Sequence, residues 1–152
     1  MQLANYLGLV RSAEEKLAQA FERVGKQHAT EVDVLQTCKL LASWSLDHAE
    51  NLKLMIEKYG EKKDDEAKDL SAALFETRMG ALGLLRDLHG LWLMASEVEM
   101  CYTVILQAAQ GLRDKELELA CKEFSAQTIR QKAWLTTKIK HSASQTLIVA
   151  TS

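Results

Sequence analysis

Apolar residues recur at steps of three and four along most of this chain. Leu3, Leu7, Val10, Leu17, Phe21 and Val24 predict a first helix from about Leu3 to Gln27, closed by Gly25 and the polar stretch around it. Thr30 is the predicted N-cap of a second helix, with Asp33 at the capping-box position. Val34, Cys38, Leu41, Trp44, Leu52, Met55 and Ile56 carry one face of that helix to about Tyr59, where Gly60 supplies a stop. A third helix is predicted from about Leu82 to Gln110. It is apolar on most of its circumference (Leu85, Leu88, Trp92, Val98, Tyr102, Ile105), the mark of the most buried helix, and Gly111 ends it. The fourth starts near Asp114, carries Leu117, Cys121, Phe124, Ile129, Trp134 and Ile139, and fades after His141. The tail, 142–152, is apolar and β-branched, which predicts that it lies across the other helices or against a second subunit.

The first and last connections are short, so the helices pair into two hairpins. The middle connection, about 60–79, is long enough to cross the length of a bundle. Its charge run GEKKDDEAKD predicts a solvated strap, and LSAALFETR a short helix packing Leu70, Leu74 and Phe75. The fold class that follows is all-α: one domain over 1–152, an antiparallel four-helix bundle of two hairpins joined by a long crossover. A simple up-down-up-down path is the other topology these lengths permit. Sliding Cys38-Lys39 onto Cys121-Lys122 also brings Glu14 onto Glu97 and Gln27 onto Gln110, a faint trace of a repeated hairpin.

Composition narrows the function classes. The chain has 152 residues and no proline, so nothing forces a kink in a long helix. With 19 basic and 21 acidic residues it lacks the basic footprint of a nucleic-acid binder. Cys38, Cys101 and Cys121 are odd in number and not in CxxC pairs, which predicts core thiols in a reducing compartment. No apolar run reaches the ~20 residues of a membrane span, and the start of the chain does not read as a signal peptide. A cytoplasmic protein is the expectation.

Chemistry in a helical bundle is built from side chains that project inward. Polar residues standing where the stripe demands apolar ones are therefore the candidates. They are Glu14 between Val10 and Leu17, His48 between Trp44 and Leu52, Glu99 between Ala95 and Tyr102, and Gln127 and Gln131 on the fourth helix. Glu97, the repeat-mate of Glu14, competes with Glu99. The depths of these positions relative to their turns predict a polar layer near mid-bundle. One reading of Glu14, His48, Glu97 and Glu99 is a partial metal site for iron or another divalent cation. The other is a hydrogen-bonded layer in which His48 pairs with a carboxylate.

Paired hairpins with a long crossover and an inward Glu on helices one and three resemble the ferritin-like superfamily. In its di-iron members, helices two and four each carry Glu-x-x-His. Here the corresponding stretches are Ser45-Leu46-Asp47-His48 and Thr128-Ile129-Arg130-Gln131. The resemblance thus implies the architecture but not an intact di-iron centre. Whether the protein is an enzyme stays open. The leading expectation is a bundle that acts by association or ligand binding, as a homodimer through helix one (Leu3, Tyr6, Leu7) or the tail (Leu147, Ile148, Val149). The alternative is a metal-dependent oxidoreductase or metal-binding protein. A small-molecule pocket beside Trp44 and Trp92 is a further possibility. No nucleic-acid or membrane partner is expected.

Overall fold

The apolar stripes fold as helices because nothing in them interrupts the backbone ladder. The computed structural model describes residues 2–60 and 79–149. Its elements are α1 (Leu3–Gln27), α2 (Val32–Lys58), α3 (Gly80–Gly111) and α4 (Lys115–Ser144), followed by a π-helical turn at Gln145–Val149. No strand occurs among the described residues. The predicted segment around Leu70, Leu74 and Phe75 lies outside them.

Two helix ends differ from expectation. Thr30 does not cap α2. Glu31 holds the N-cap position without a side-chain bond, and Asp33 instead accepts from Lys138 Nζ at 2.7 Å. Gly25 does not end α1. It lies inside the helix where α1 meets α2, and a Cβ there would stand 3.1 Å from that of Cys38. The left-handed residue of the α3–α4 turn is Arg113, at φ 57°, not Gly111. Asp114 then caps α4, accepting from the Leu117 amide at 3.0 Å.

Leu7, Val10, Leu17, Phe21 and Val24 of α1 are fully buried, and so are Leu88, Leu91, Val98 and Ile105 of α3. Each fully buried side chain of this size stabilises the fold by about 1.5–3 kcal/mol. α1 packs on both α2 and α3, α3 packs on α4, and a thinner seam joins α2 to α4. The four helices thus close a ring around one core. α3 is not buried all round, however. Leu82, Leu93 and Met100 are more than half exposed. Its inner side alone was enough to fill the core, and the remaining apolar residues face outward. Trp44, Trp92 and Trp134 are half-buried at the core's edge.

Polar contacts fix the helix directions. His28, just past the end of α1, meets Asp87, near the start of α3, with Nε2 2.8 Å from Oδ2. Lys58 and Tyr59, at the end of α2, both donate to Asp114 at the start of α4. α3 therefore starts at the end of the bundle opposite the one where α2 finishes. The helices thus form two antiparallel hairpins, with the end of α2 and the start of α3 at opposite ends of the bundle. The up-down-up-down alternative would have put the ends of α2 and the start of α3 together.

Candidate functional site

Each helix sends one polar side chain into the same mid-bundle layer. On α1 the stripe Leu7–Val10–Glu14–Leu17 turns Glu14 inward. On α2, Leu41–Ser45–His48–Leu52 does the same for His48. On α3, Val98–Tyr102–Ile105 brings in Tyr102, and Gln127 comes from α4. His48 Nδ1 lies 2.5 Å from Glu14 Oε2, and its Nε2 lies 2.5 Å from Gln127 Oε1. The Tyr102 hydroxyl donates to the same Glu14 Oε2 at 2.6 Å. Phe124 stacks on the imidazole with centroids 4.5 Å apart, and Tyr102 meets it edge-on at 6.3 Å. One turn further along α4, Gln131 Nε2 donates to Ser45 Oγ and to the Leu41 carbonyl, both at 2.9 Å.

The electrostatics follow from this geometry. Burial alone would hold the His48 imidazole neutral. The hydrogen bond to Glu14 and its charge more than reverse that and raise the His48 pKa above its ordinary 6.5. Both ring nitrogens face oxygen acceptors, so the imidazolium satisfies both at once. Burial, then the Glu14 charge and hydrogen bond, push the Tyr102 hydroxyl well above its ordinary range. It stays a donor. Glu14 Oε1 and Gln131 Oε1 are buried without a hydrogen-bond partner. Glu14 is 0% exposed and His48 1%, so neither offers a face to a substrate in this conformation.

Not every candidate reaches the layer. Glu99 is half-buried between α3 and α4, where it accepts from Lys132 Nζ at 3.0 Å. Glu97 lies half-buried beside Cys101, its Oε1 3.9 Å from the thiol. The reason is helical phase. With Val98 and Tyr102 pointing inward, positions 97 and 99 each swing about 100° away. Glu14, His48, Glu97 and Glu99 therefore do not converge as a ligand set. No group of three or more His, Cys, Asp or Glu able to hold a metal ion occurs among the described residues. The donors also do not fit a di-iron centre, since helices two and four bring Ser45, His48, Gln127 and Gln131 where carboxylates would be needed.

Sequence reasoning missed two participants. The Tyr102 ring satisfies the apolar period of α3, which hides its hydroxyl from the sequence pattern. The buried His28–Asp87 pair escaped as well. Its signal was present, since Asp87 occupies a stripe position between Leu84 and Leu91. The three cysteines are buried and unpaired, and burial foremost pushes each thiol up to about 12, which makes them inert packing groups.

Away from the polar layer, a concave feature opens to solvent. A cleft of about 600 Å³ runs between α3 and α4. Half-buried Leu85, Trp92, Ile139 and Ala143 form its floor, and exposed Arg86, His89 and Lys140 stand on its rim. Lys132 Nζ lies 4.7 Å over the Trp92 ring while bound to Glu99. No helix of the described residues is long and apolar enough to cross a membrane. No protein-family model, curated protein or solved structure matches this chain.

Proposed function

We propose that this protein is a ferritin-like bundle that works by binding rather than by catalysis, using the outer face of α3 and α4. The observation that carries this reading is a contrast. Glu14 and His48 are closed off from solvent and bonded to each other, while the cleft beside Trp92 is open, apolar and about 600 Å³ in volume. Pockets of ~300–1,000 Å³ with apolar walls and a few polar groups are the usual form of ligand sites. The crossover between the hairpins supports kinship with ferritin-like bundles, and the Glu14–His48–Gln127–Tyr102 layer then stands where their metals would be.

Association as a homodimer is the second reading, carried by the outward residues of α3. Leu93, Met100, Thr103, Val104 and Gln107 are exposed, and none is charged. On helix one Leu3 and Leu7 are buried, and Tyr6 is the exposed residue of the three. Leu147 and Ile148 beyond α4 remain exposed, at 67% and 80%.

Light scattering together with titration of the apolar dye anilinonaphthalene sulfonate tests both. Saturable dye binding to a monomer is the expected result for the cleft, and a mass of two chains the expected result for association. A monomer that excludes the dye overturns the proposal. Stoichiometric iron or another divalent metal after purification, lost in His48→Ala, would overturn it in favour of a metal-dependent protein.

A further inference from the structure

The α3–α4 cleft has more than apolar walls. Arg86 and His89 of α3 and Lys140 of α4 stand along its rim, and no acidic side chain lines it. Among the described residues none of these three is engaged in an ion pair. Two unneutralised cations and a histidine beside one cleft are notable in a chain whose net charge is −2. The lysine nearer the middle of the seam is different. Lys132 is already neutralised by Glu99 at 3.0 Å and caps the Trp92 face. The cleft is therefore polarised, with open positive charge beside Arg86 and Lys140 and a neutral, apolar surface over Leu85, Trp92 and Ile139.

We propose that this cleft binds a single-chain anionic amphiphile of the fatty-carboxylate class. Its headgroup pairs with Arg86 and Lys140, and its alkyl chain lies on Leu85, Trp92, Ile139 and Ala143. Guanidinium and ammonium groups supply the charge-assisted hydrogen bonds that a carboxylate needs. Burial of the chain against these apolar walls supplies a favourable term that grows with each methylene removed from water. The concavity favours one chain over a flat bilayer surface. This inference rests on the reading of the α3–α4 face as a binding surface, and adds the chemistry of what it takes.

Isothermal titration calorimetry on the full chain with decanoate, kept below its micelle concentration, tests it. The expected result is saturable binding of one decanoate per chain. Substituting both rim cations, Arg86→Ala with Lys140→Ala, should weaken it about tenfold or more while leaving the circular dichroism spectrum unchanged, since both side chains are exposed. Decyltrimethylammonium, with the same tail and the opposite charge, should bind at least about tenfold more weakly than decanoate. Equal binding of the two amphiphiles, or an unchanged affinity in the double variant, would overturn the anionic headgroup while leaving an apolar-ligand cleft standing. Failure of both amphiphiles and of the dye would remove the binding face itself. Co-sedimentation with anionic phospholipid vesicles in the absence of decanoate binding would overturn the proposal in favour of a membrane surface.

Discussion

His48 holds the middle of the molecule by satisfying two partners from two other helices at once. A buried charge without its partner is costly, and removing one member of such a pair typically costs ~3–5 kcal/mol. His48→Ala leaves Glu14 buried with only Tyr102 as donor, and should lose stability on that scale in urea unfolding. Replacing both, Glu14→Leu with His48→Leu, should cost far less than His48→Ala, because no buried charge is then stranded. A double variant as unstable as the single one would show that packing, not charge, is what the layer provides. The pH dependence has a definite sign. The His48 pKa is raised by folding, so its contribution is fully present below the ordinary 6.5 and is lost as pH climbs through the raised value. Stability in urea should therefore fall on the alkaline side of pH 6.5, and the slope should flatten in His48→Gln. The layer was half legible in the sequence. Glu14 and His48 interrupt an apolar stripe and can be seen as intruders. Tyr102 cannot, because a phenol ring reads as apolar. Glu97 and Glu99 misled because α3 is apolar nearly all round, so its sequence leaves the helical phase undetermined by one residue.

At the scale of elements, the α3–α4 turn concentrates the local stability. Asp114 receives the Tyr59 hydroxyl, the Leu117 amide and the Lys58 ammonium, and in that order they hold its carboxyl at about 2. Asp114→Ala should cost ~1–2 kcal/mol by loss of the cap, measured by thermal unfolding at neutral pH. The depressed value also means that the stability Asp114 supplies is present above 3.8 and lost as pH falls through about 2. Its neighbour should behave in the opposite way. Arg113 adopts a left-handed backbone at φ 57°, a conformation that costs an L-residue ~1–2 kcal/mol. Arg113→Gly should raise the melting temperature, and a lowered one would show that the arginine side chain contributes something the turn needs. Helix extents were well marked in the sequence, since α1 runs from Leu3 to Gln27 as its stripe predicts. The finer punctuation was not. Thr30 and Gly25 carry the right residue types for a cap and a stop, but Gly25 is needed where α1 approaches α2, and close approach between helices leaves no mark in a local pattern.

Over the whole molecule, each helix is apolar on the side it shows its neighbours, and the excess stays exposed, on α2 (Val32, Leu40, Leu54) as well as on α3. α3 supplies both core residues such as Leu88 and Val98 and outward ones such as Leu93 and Met100. The apolar cleft lies on the α3–α4 half, while α1 packs against both α2 and α3. Periodicity alone could mark α3 as apolar but could not say which of its sides would remain uncovered. That depends on where α1 and α4 sit, and it decides where a ligand or second copy has room.

The crossing connection has a further consequence. Within each hairpin the contacts are local, whereas α1–α3 packing and the Glu14–Tyr102, Glu14–His48–Gln127 and His28–Asp87 bonds join, directly or in chain, one hairpin to the other. Residues 2–60 and 79–149 are in effect two partners in a complex that share one polypeptide. A protease site placed between Gly60 and Met79 should leave, after cleavage, two pieces that migrate together on a sizing column and part only in denaturant. Pieces that separate under native conditions would show the covalent link itself to be the fastening. If they stay together, the two halves could be made as separate chains and mixed, and the bundle would assemble as a heterodimer of hairpins.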